Sequence, residues 1–416
     1  MKLIVNKYKL LNFFILVLLF FFLELVYRSF IVPLYEYRGF SYVFDSFKYI
    51  ETKFLFFFIL FFVNIKMPSK FLYSIIQILI LFALIPNMII YEYIPTPRFI
   101  MYSTSLLIIL LHLSAFVSLN IKFPRFSDDI SLYFMIGIVL VLLIPIIANY
   151  GFDLNYNVLK FQDIYEVRSK SISGIAMIGY LYSWLAKVIV PVLIALSLIK
   201  KNYIISLILV LVLLYLFIVQ AQKSVFFSLL VVLLFYFITD YYKKIYLFLT
   251  VLFLLIVAMH LFSLKTGNIV LESMLVRRVF FVPAILNNYY FDFFSGHSLY
   301  LSHSIFSPIY EYPYELPPEK MIGLTYFGSS DMNANNGFIS DGFMNFGRFG
   351  VILYIFLIVI IFKVFDALKV NSHYFGVFFV MIFTFISSSF LTSLFTHGIL
   401  ILLILAFFVM QYRKTS

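Results

Sequence analysis

Residues 245–294 read IYLFLTVLFLLIVAMHLFSLKTGNIVLESMLVRRVFFVPAILNNYYFDFF. The first part, to Ser263, is an almost uninterrupted apolar run of the length that crosses a bilayer as a helix. At Lys265 the character changes. A polar, aromatic-rich segment follows that presents Arg277 and Arg278 side by side and does not end until Asn345, at the close of NANNGFISDGFMN. Runs like the first recur from one end of the chain to the other, whereas the second is an exception. The repetition sets the fold class, and the exception marks where a function is expected.

With 64% hydrophobic residues, 12% charged residues and a mean hydropathy of +1.05, the 416-residue chain lies far from soluble composition. The expected architecture is an all-α polytopic integral membrane protein, because in lipid every backbone polar group must be satisfied within the spanning segment. A transmembrane barrel would need alternating segments, and these runs do not alternate. The net charge of +11 comes from basic residues in short connectors at helix ends, as topology requires, and forms no concentrated face for nucleic acid. Cysteine is absent, which excludes disulfides, thiolate metal sites and a cysteine nucleophile. The N-terminal MKLIVNKYKL leads into an apolar run without a small-residue cleavage site and continues to Glu24 and Arg28, so it reads as a retained first helix.

Hydropathy places about 12 transmembrane helices near 10–31, 50–65, 71–91, 99–118, 132–149, 173–198, 204–219, 225–239, 245–263, 346–366, 374–391 and 397–411. Alternate connectors carry basic pairs: Lys66 and Lys70, Lys122 and Arg125, Lys200 and Lys201, Lys243 and Lys244, Lys363 and Lys369. The tails add Lys2, Lys7, Lys9, Arg413 and Lys414. Setting all of these on the cytoplasmic side satisfies the positive-inside rule and makes both termini cytoplasmic. This arrangement requires a hairpin at QAQKS, residues 220–224, because one long helix over 204–239 would invert everything downstream. The chain then forms a single polytopic membrane domain, 1–416, with external segments at 32–49, 150–172 and 264–345. The last, the one large external loop, has four basic and seven acidic residues, so it is no general anion trap. Its sixteen Phe and Tyr residues suit an interfacial belt, loop packing, or stacking on sugar faces.

Charges within spans are functional hypotheses by default. Glu24 and Arg28 are spaced to pair along one helix face. Lys187 suits either a snorkelling position or a buried anion site. His260 and His397 stand near outer helix ends, His303 lies in the large loop, and Lys223 sits at the hairpin tip with Gln220 and Gln222, where it either addresses a lipid-linked phosphate or supplies the polarity that any hairpin tip needs. Ten residues separate Arg168 from Gly179, an Arg-x10-Gly pattern that sets the cation at the membrane surface and the glycine one to two turns into the helix. An arginine at such a depth can grip phosphate bidentately while its stem stays among apolar groups. RRVFFVPAILNNYYFDFF is expected to form a short interfacial helix that presses its aromatics into lipid and offers Arg277 and Arg278 to a head group. In GLTYFGSSDMNANNGFISDGFMNFGRFG, Asn335 and Asn336 can read sugar hydroxyls, and Asp331 or Asp341 can serve as general base. Gly347 and Gly350 allow close helix packing around Arg348.

At these motifs the chain resembles bacterial O-antigen polymerases of the Wzy type, the oligosaccharide repeat unit polymerases. The resemblance rests on the topology, the Arg-x10-Gly element, RRVFFVPA with the following YYFDFF, and the Asn/Gly-rich loop exit NNGFISDGFMNFGRFG. It implies a glycosyltransferase of the bacterial inner membrane that acts at its periplasmic face without metal or other cofactor. The substrate, as both donor and acceptor, would be an undecaprenyl-pyrophosphate-linked oligosaccharide. A chain-length-determining co-polymerase is an implied partner, besides the lipid bilayer. By motif position, Arg168 matches the arginine of the Arg-x10-Gly element and Arg277 or Arg278 the loop arginine. Lys223 stands where the family often has arginine. Two alternatives stay open on the same features: an O-antigen ligase, and a flippase or other transporter of lipid-linked oligosaccharides.

Overall fold

The computed structural model describes residues 6–121, 123–152, 154–160, 163–170, 176–304 and 306–412. Lys2, Lys122, Arg413, Lys414 and the middle of the Arg-x10-Gly element therefore lie outside the described residues. The described residues are helical and contain no strand, only an isolated bridge between Val370 and Gln411. In chain order the helices are α1 (Lys7–Arg38), α2 (Ser46–Ile65), α3 (Lys70–Tyr93), α4 (Arg98–Ser114), α5 (Asp128–Tyr150), α6 (Ile164–Lys170), α7 (Met177–Ile199) and α8 (Tyr203–Gln220). They continue with α9 (Lys223–Tyr236), α10 (Tyr241–Thr266), α11 (Val282–Phe293), α12 (Pro318–Phe327), α13 (Phe338–Ala367), α14 (Ser372–Ser387) and α15 (Phe390–Phe408). Eight of them, α1, α3, α5, α7, α8, α10, α13 and α15, are long and apolar enough to cross a membrane. The protein is thus a multi-pass helical membrane protein. Helices α4, α9 and α14 are apolar but shorter, and α2 is 20 residues long with Lys48, Glu51 and Lys53 in its first half.

The helix starts follow local chemistry. Asn6, Asp45, Ser69, Ser127 and Asn202 each accept a hydrogen bond from a first-turn amide, satisfying donors that have no partner within the helix. The helix interiors show a second regularity. Four π-helical stretches, Tyr27–Ile31, Ile80–Leu84, Leu185–Ile189 and Ser273–Phe281, each end two residues before a proline: Pro33, Pro86, Pro191 and Pro283. Proline has no N–H and its ring crowds the preceding turn, so the carbonyls of Ser29, Phe82, Lys187 and Val279 lose their α-helical donor. The turn widens in response. The residue just before each proline bonds to the carbonyl five positions back: Val32 to Tyr27, Ile85 to Ile80, Val190 to Leu185 and Val282 to Arg277. Three of the four stretches carry cations: Arg28, Lys187, and the pair Arg277 and Arg278.

The chain divides into two compact units. Unit 1 comprises residues 1–118, 241–363 and 385–390. Its centre is α3, whose spanning window is wholly enclosed. Helix α1 packs along α10, and both α4 and α11 lie against α3. Most of the large polar segment is helical and belongs to this packing. Phe280 stacks on Phe82 of α3 with ring centroids 5.0 Å apart, and Phe281 lies 5.2 Å from Tyr27. Both phenylalanines are fully buried. The sequence expectation that these aromatics press into lipid is therefore corrected: they are core residues. Widening at Ser273–Phe281 feeds α11 directly onto α3, where Asn287 Nδ2 donates to Asn87 Oδ1 at 3.1 Å.

Unit 2 comprises residues 119–240, 364–384 and 391–416. Its centre is the second half of α7, Val190–Ile199, buried from Val190 to Ser197 and packed against α8. Helix α8 ends at Gln220, Ala221 takes a left-handed conformation at φ 50°, and α9 starts at Lys223. Helices α8 and α9 pack on each other, so QAQKS is a hairpin and not the middle of one long helix. Helix α15 is itself interrupted: Phe390–Leu394 and Ile399–Phe408 are joined by a turn at Gly398, φ +80°.

At the loop exit Gly337, Gly342 and Gly350 are required by close backbone contact, whereas Gly347 has nothing within 4 Å and is required by its φ of +60°. A Cβ on Gly350 would lie 2.1 Å from the Gly342 carbonyl oxygen, across the break in α13 at Phe346 and Gly347. Gly350→Ala should therefore destabilise the protein by about 1–3 kcal/mol, the usual penalty for overpacking. Gly137→Ala, at a helical site with nothing within 4 Å, should be neutral or slightly stabilising. Thermal unfolding in detergent micelles checks both, and equal melting temperatures for the two variants would refute the close contact.

Candidate functional site

The cations of unit 1 divide by what holds them. Near the end of α1, Arg38 lies 5.1 Å over Tyr37 and 5.5 Å over Phe327, the last residue of α12. Arg277, on its π-helical stretch, lies 4.3 Å over Tyr35 and donates from Nε to Ser273 Oγ at 3.0 Å. Tyr35 and Tyr37 are themselves neighbours, with centroids 6.3 Å apart. Among the described residues neither arginine has a carboxylate within ion-pair distance. Stacking on a ring occupies the face of a guanidinium and leaves its in-plane N–H edge for an acceptor. Burial lowers the pKa of Arg277 from its ordinary value, but an arginine so placed remains charged. Arg278 is exposed.

Arg38 is held by its own turn. Tyr289 of α11 donates its hydroxyl to the Arg38 carbonyl at 2.7 Å, and a Cβ at residue 39 would lie 1.9 Å from that hydroxyl oxygen. Only Gly39, at φ +85°, fits there. Tyr289 stacks on Tyr326 at 4.3 Å, and Tyr326 donates to Asp292 Oδ2 at 2.6 Å. The result is a guanidinium and a pair of stacked tyrosines joined through one turn, a combination suited to an anion attached to a sugar.

The remaining sequence candidates in unit 1 fall into distinct surroundings. Asp331 and Asn335 are exposed on the segment between α12 and α13. Asn336 is buried: its Nδ2 donates to Asn287 Oδ1 at 3.1 Å and also to Ser340 Oγ, and Ser340 Oγ donates to Asn287 Oδ1 at 2.8 Å. This ladder continues to Asn87 beside a cavity of about 20 Å³, the size of about one water molecule. Asp341 is also buried. Its carboxylate accepts from the Phe390 backbone N–H at 2.7 Å and from Asn345 Nδ2 at 2.9 Å, fastening the start of α15 to α13. Arg348 is exposed and lies 5.6 Å over Phe99. His303 is half-buried with Nδ1 unpartnered, and burial holds its pKa below the ordinary histidine value. His260 pairs with Glu272 at 2.7 Å, and Ser263 donates to the same carboxylate, so these groups tie the root of the loop to α10.

In unit 2, Arg168 is exposed on α6 and donates from Nε to the Ala221 carbonyl at 3.2 Å, two residues before Lys223. The Arg-x10-Gly arginine and the hairpin are thus brought together, with Lys223 half-buried at the first position of α9. Lys187 Nζ lies 2.8 Å from His397 Nδ1.

Sequence reasoning missed Arg38, Lys53 and Glu92. Lys53 bridges Glu24 at 2.8 Å and Glu92 at 2.6 Å, and Tyr93 donates to Glu24 Oε1 at 2.5 Å. Arg28 joins at 3.7 Å, as its spacing from Glu24 suggests, yet Lys53 is the closer cation. The visible signal is that Lys53 and Glu92 stand inside or at the edge of apolar runs, where a charge needs a partner of opposite sign. For Arg38 the signal is the following Gly39.

No family model, curated protein or solved structure matches this chain, so its site is read from geometry.

Lys53 holds two carboxylates that are both buried. Lys53→Met should therefore cost about 3–5 kcal/mol by leaving buried charge unpaired. The triple variant Lys53→Met, Glu24→Gln, Glu92→Gln should recover most of that loss. Thermal unfolding in detergent is the measurement, and an unaltered melting temperature for Lys53→Met would rule out the bridge.

Proposed function

We propose that this protein is a polymerase of lipid-linked oligosaccharide repeat units at the outer face of the bacterial inner membrane. The observation that carries the reading is the pair of arginines, Arg38 and Arg277, held on aromatic faces without a carboxylate partner among the described residues. Charges held this way are prepared for a ligand anion rather than neutralised within the protein. The motifs RRVFFVPA and NNGFISDGFMNFGRFG, on which the resemblance to Wzy-type polymerases rests, flank this same cap.

In this reading all twelve apolar helices cross the membrane, both termini are cytoplasmic, and 264–345 faces the periplasm. The growing glycan is the donor, carried on undecaprenyl pyrophosphate. A hydroxyl oxygen of the incoming lipid-linked unit attacks the donor's anomeric carbon. The bond from that carbon to the pyrophosphate oxygen breaks, and the hydroxyl proton passes to a base. Arg277, Arg38 and Arg278 meet the charge that develops on the leaving pyrophosphate, and Arg168 serves a lipid phosphate from its own unit. Preorganised cations of this kind stabilise the transition state more than the ground state. The stacked Tyr289 and Tyr326 offer a sugar platform. Asp331, exposed, is the group open to a base role, whereas the unpartnered Nδ1 of His303 is enclosed by protein. Asp341, Asn336 and Asn345 position the loop exit. A co-polymerase that sets chain length is the expected partner.

A transport reading draws on a different observation, the interruption of α15 beside Lys187, since broken helices often form transporter sites. A ligase would share the lipid-linked donor.

Deleting the gene separates these readings. A polymerase loss leaves lipopolysaccharide capped with a single repeat unit, whereas loss of a ligase or flippase removes the attached unit altogether. Absence of the single-unit band would overturn the polymerase reading. In complemented strains, Arg277→Ala, Arg38→Ala and Arg168→Ala should each cut long-chain product about tenfold or more, as loss of a charge-assisted contact predicts. Gel profiles at matched protein levels give that answer, and unchanged ladders in all three would remove the phosphate grip.

A further inference from the structure

Unit 2 contains a lysine–histidine pair that the glycan-transfer reading does not use. Lys187 stands on the π-helical stretch Leu185–Ile189, and Pro191 removes the donor to its backbone carbonyl. Its ammonium lies 2.8 Å from His397 Nδ1. With the ammonium donating, the ring nitrogen accepts and the imidazole carries its hydrogen on Nε2. His397 belongs to the turn that interrupts α15, and that turn is pressed onto the same face of α7. Trp184 Nε1 donates to the Phe395 carbonyl at 2.6 Å, and a Cβ on Gly398 would lie 3.3 Å from Trp184 Cδ1 and 3.1 Å from Val188 Cγ2.

Three features of this arrangement favour an anion. Among the described residues Lys187 has no carboxylate within ion-pair distance, and a half-buried ammonium without a counter-charge is costly. Histidine takes only one of its donors, leaving the others for acceptors. The second half of α15, Ile399–Phe408, begins at Gly398 with no side-chain cap, so its first-turn amides and the positive end of its dipole stand beside His397. Alongside lies an aromatic pair, Trp184 and Tyr180, with centroids 6.2 Å apart and Tyr180 38% exposed.

We infer that Lys187 and His397, flanked by Trp184 and Tyr180, form a binding site for an oxyanion. The group is either the carboxylate of an acidic sugar or a phosphate. Lys187 supplies the charge, the His397 turn supplies the fixed geometry, and the two rings suit a sugar face adjoining the anionic group.

Trp184 is the chain's single tryptophan, so its emission reports directly on this site. Full-length protein in detergent micelles is titrated with inorganic pyrophosphate and, separately, with glucuronate, each against sodium chloride at matched ionic strength. A saturable emission change with either ligand and not with chloride is expected. A response to pyrophosphate alone assigns a phosphate, one to glucuronate alone assigns a sugar acid, and a response to both supports a general oxyanion site. Lys187→Met should raise the half-saturating concentration about tenfold or more, the size of one lost charge-assisted hydrogen bond. Lys187→Arg should keep a saturable response. If Lys187→Met does not elute as a folded, monodisperse species, Lys187→Gln replaces it. No saturable change in the unmodified protein, or an unaltered titration in the neutral variant, overturns the inference and leaves the pair as a structural tie. The readout needs no glycan substrate, so it stands or fails separately from the polymerase reading.

Discussion

A proline inside an apolar helix leaves the carbonyl four residues back without its donor, and lipid offers no water to replace it. Much of this protein's local geometry follows from that constraint. At Pro33, Pro86, Pro191 and Pro283 the chain widens into a π-turn in which the residue just before the proline bonds to the carbonyl five positions back. A widened turn also rotates the side chains that follow relative to those before it. Arg28, Lys187 and Arg277 all sit on such turns. The response is not universal, since Pro145 lies within α5 without a π-turn.

Once placed, each cation takes its character from its partners. Lys53 is matched by Glu24 and Glu92 and serves to join α1, α2 and α3, an internal neutralisation with no capacity left for a ligand. Arg38 and Arg277 are placed against Tyr37, Phe327 and Tyr35 instead. An aromatic face stabilises a cation without cancelling its charge, so these arginines keep their hydrogen-bonding edges. Lys187 is a third case, held by a neutral histidine. The same residue types thus act as rivets in one place and as binding groups in another.

Much of the fold was legible because its causes are local. The apolar runs, the hairpin at residues 220–224 and the pairing of Glu24 with Arg28 follow from spacing and residue type along a single stretch. The large polar segment was legible as an exception and misread in detail. RRVFFVPAILNN does form a helix after its arginines, but Phe280 and Phe281 pack on Phe82 and Tyr27, over two hundred and fifty positions away for Tyr27. An amphipathic segment looks the same in sequence whether its apolar side meets lipid or another helix. Asp341 and Asn336 show the matching ambiguity for polar groups. Both were candidates for substrate contact, and both are committed to buried hydrogen bonds that hold the loop exit in place.

The sequence by itself determined that this is a multi-pass helical membrane protein and roughly where its apolar helices run. These outcomes depend on hydropathy and on backbone donors within a few residues of one another. Only the tertiary structure decided which charges are cancelled and which remain available. That choice depends on which side chains meet across helices, as Lys53 meets Glu92, Arg277 meets Tyr35 and Lys187 meets His397. A charge costs or contributes according to the groups packed around it, and the chain's linear order does not specify those groups.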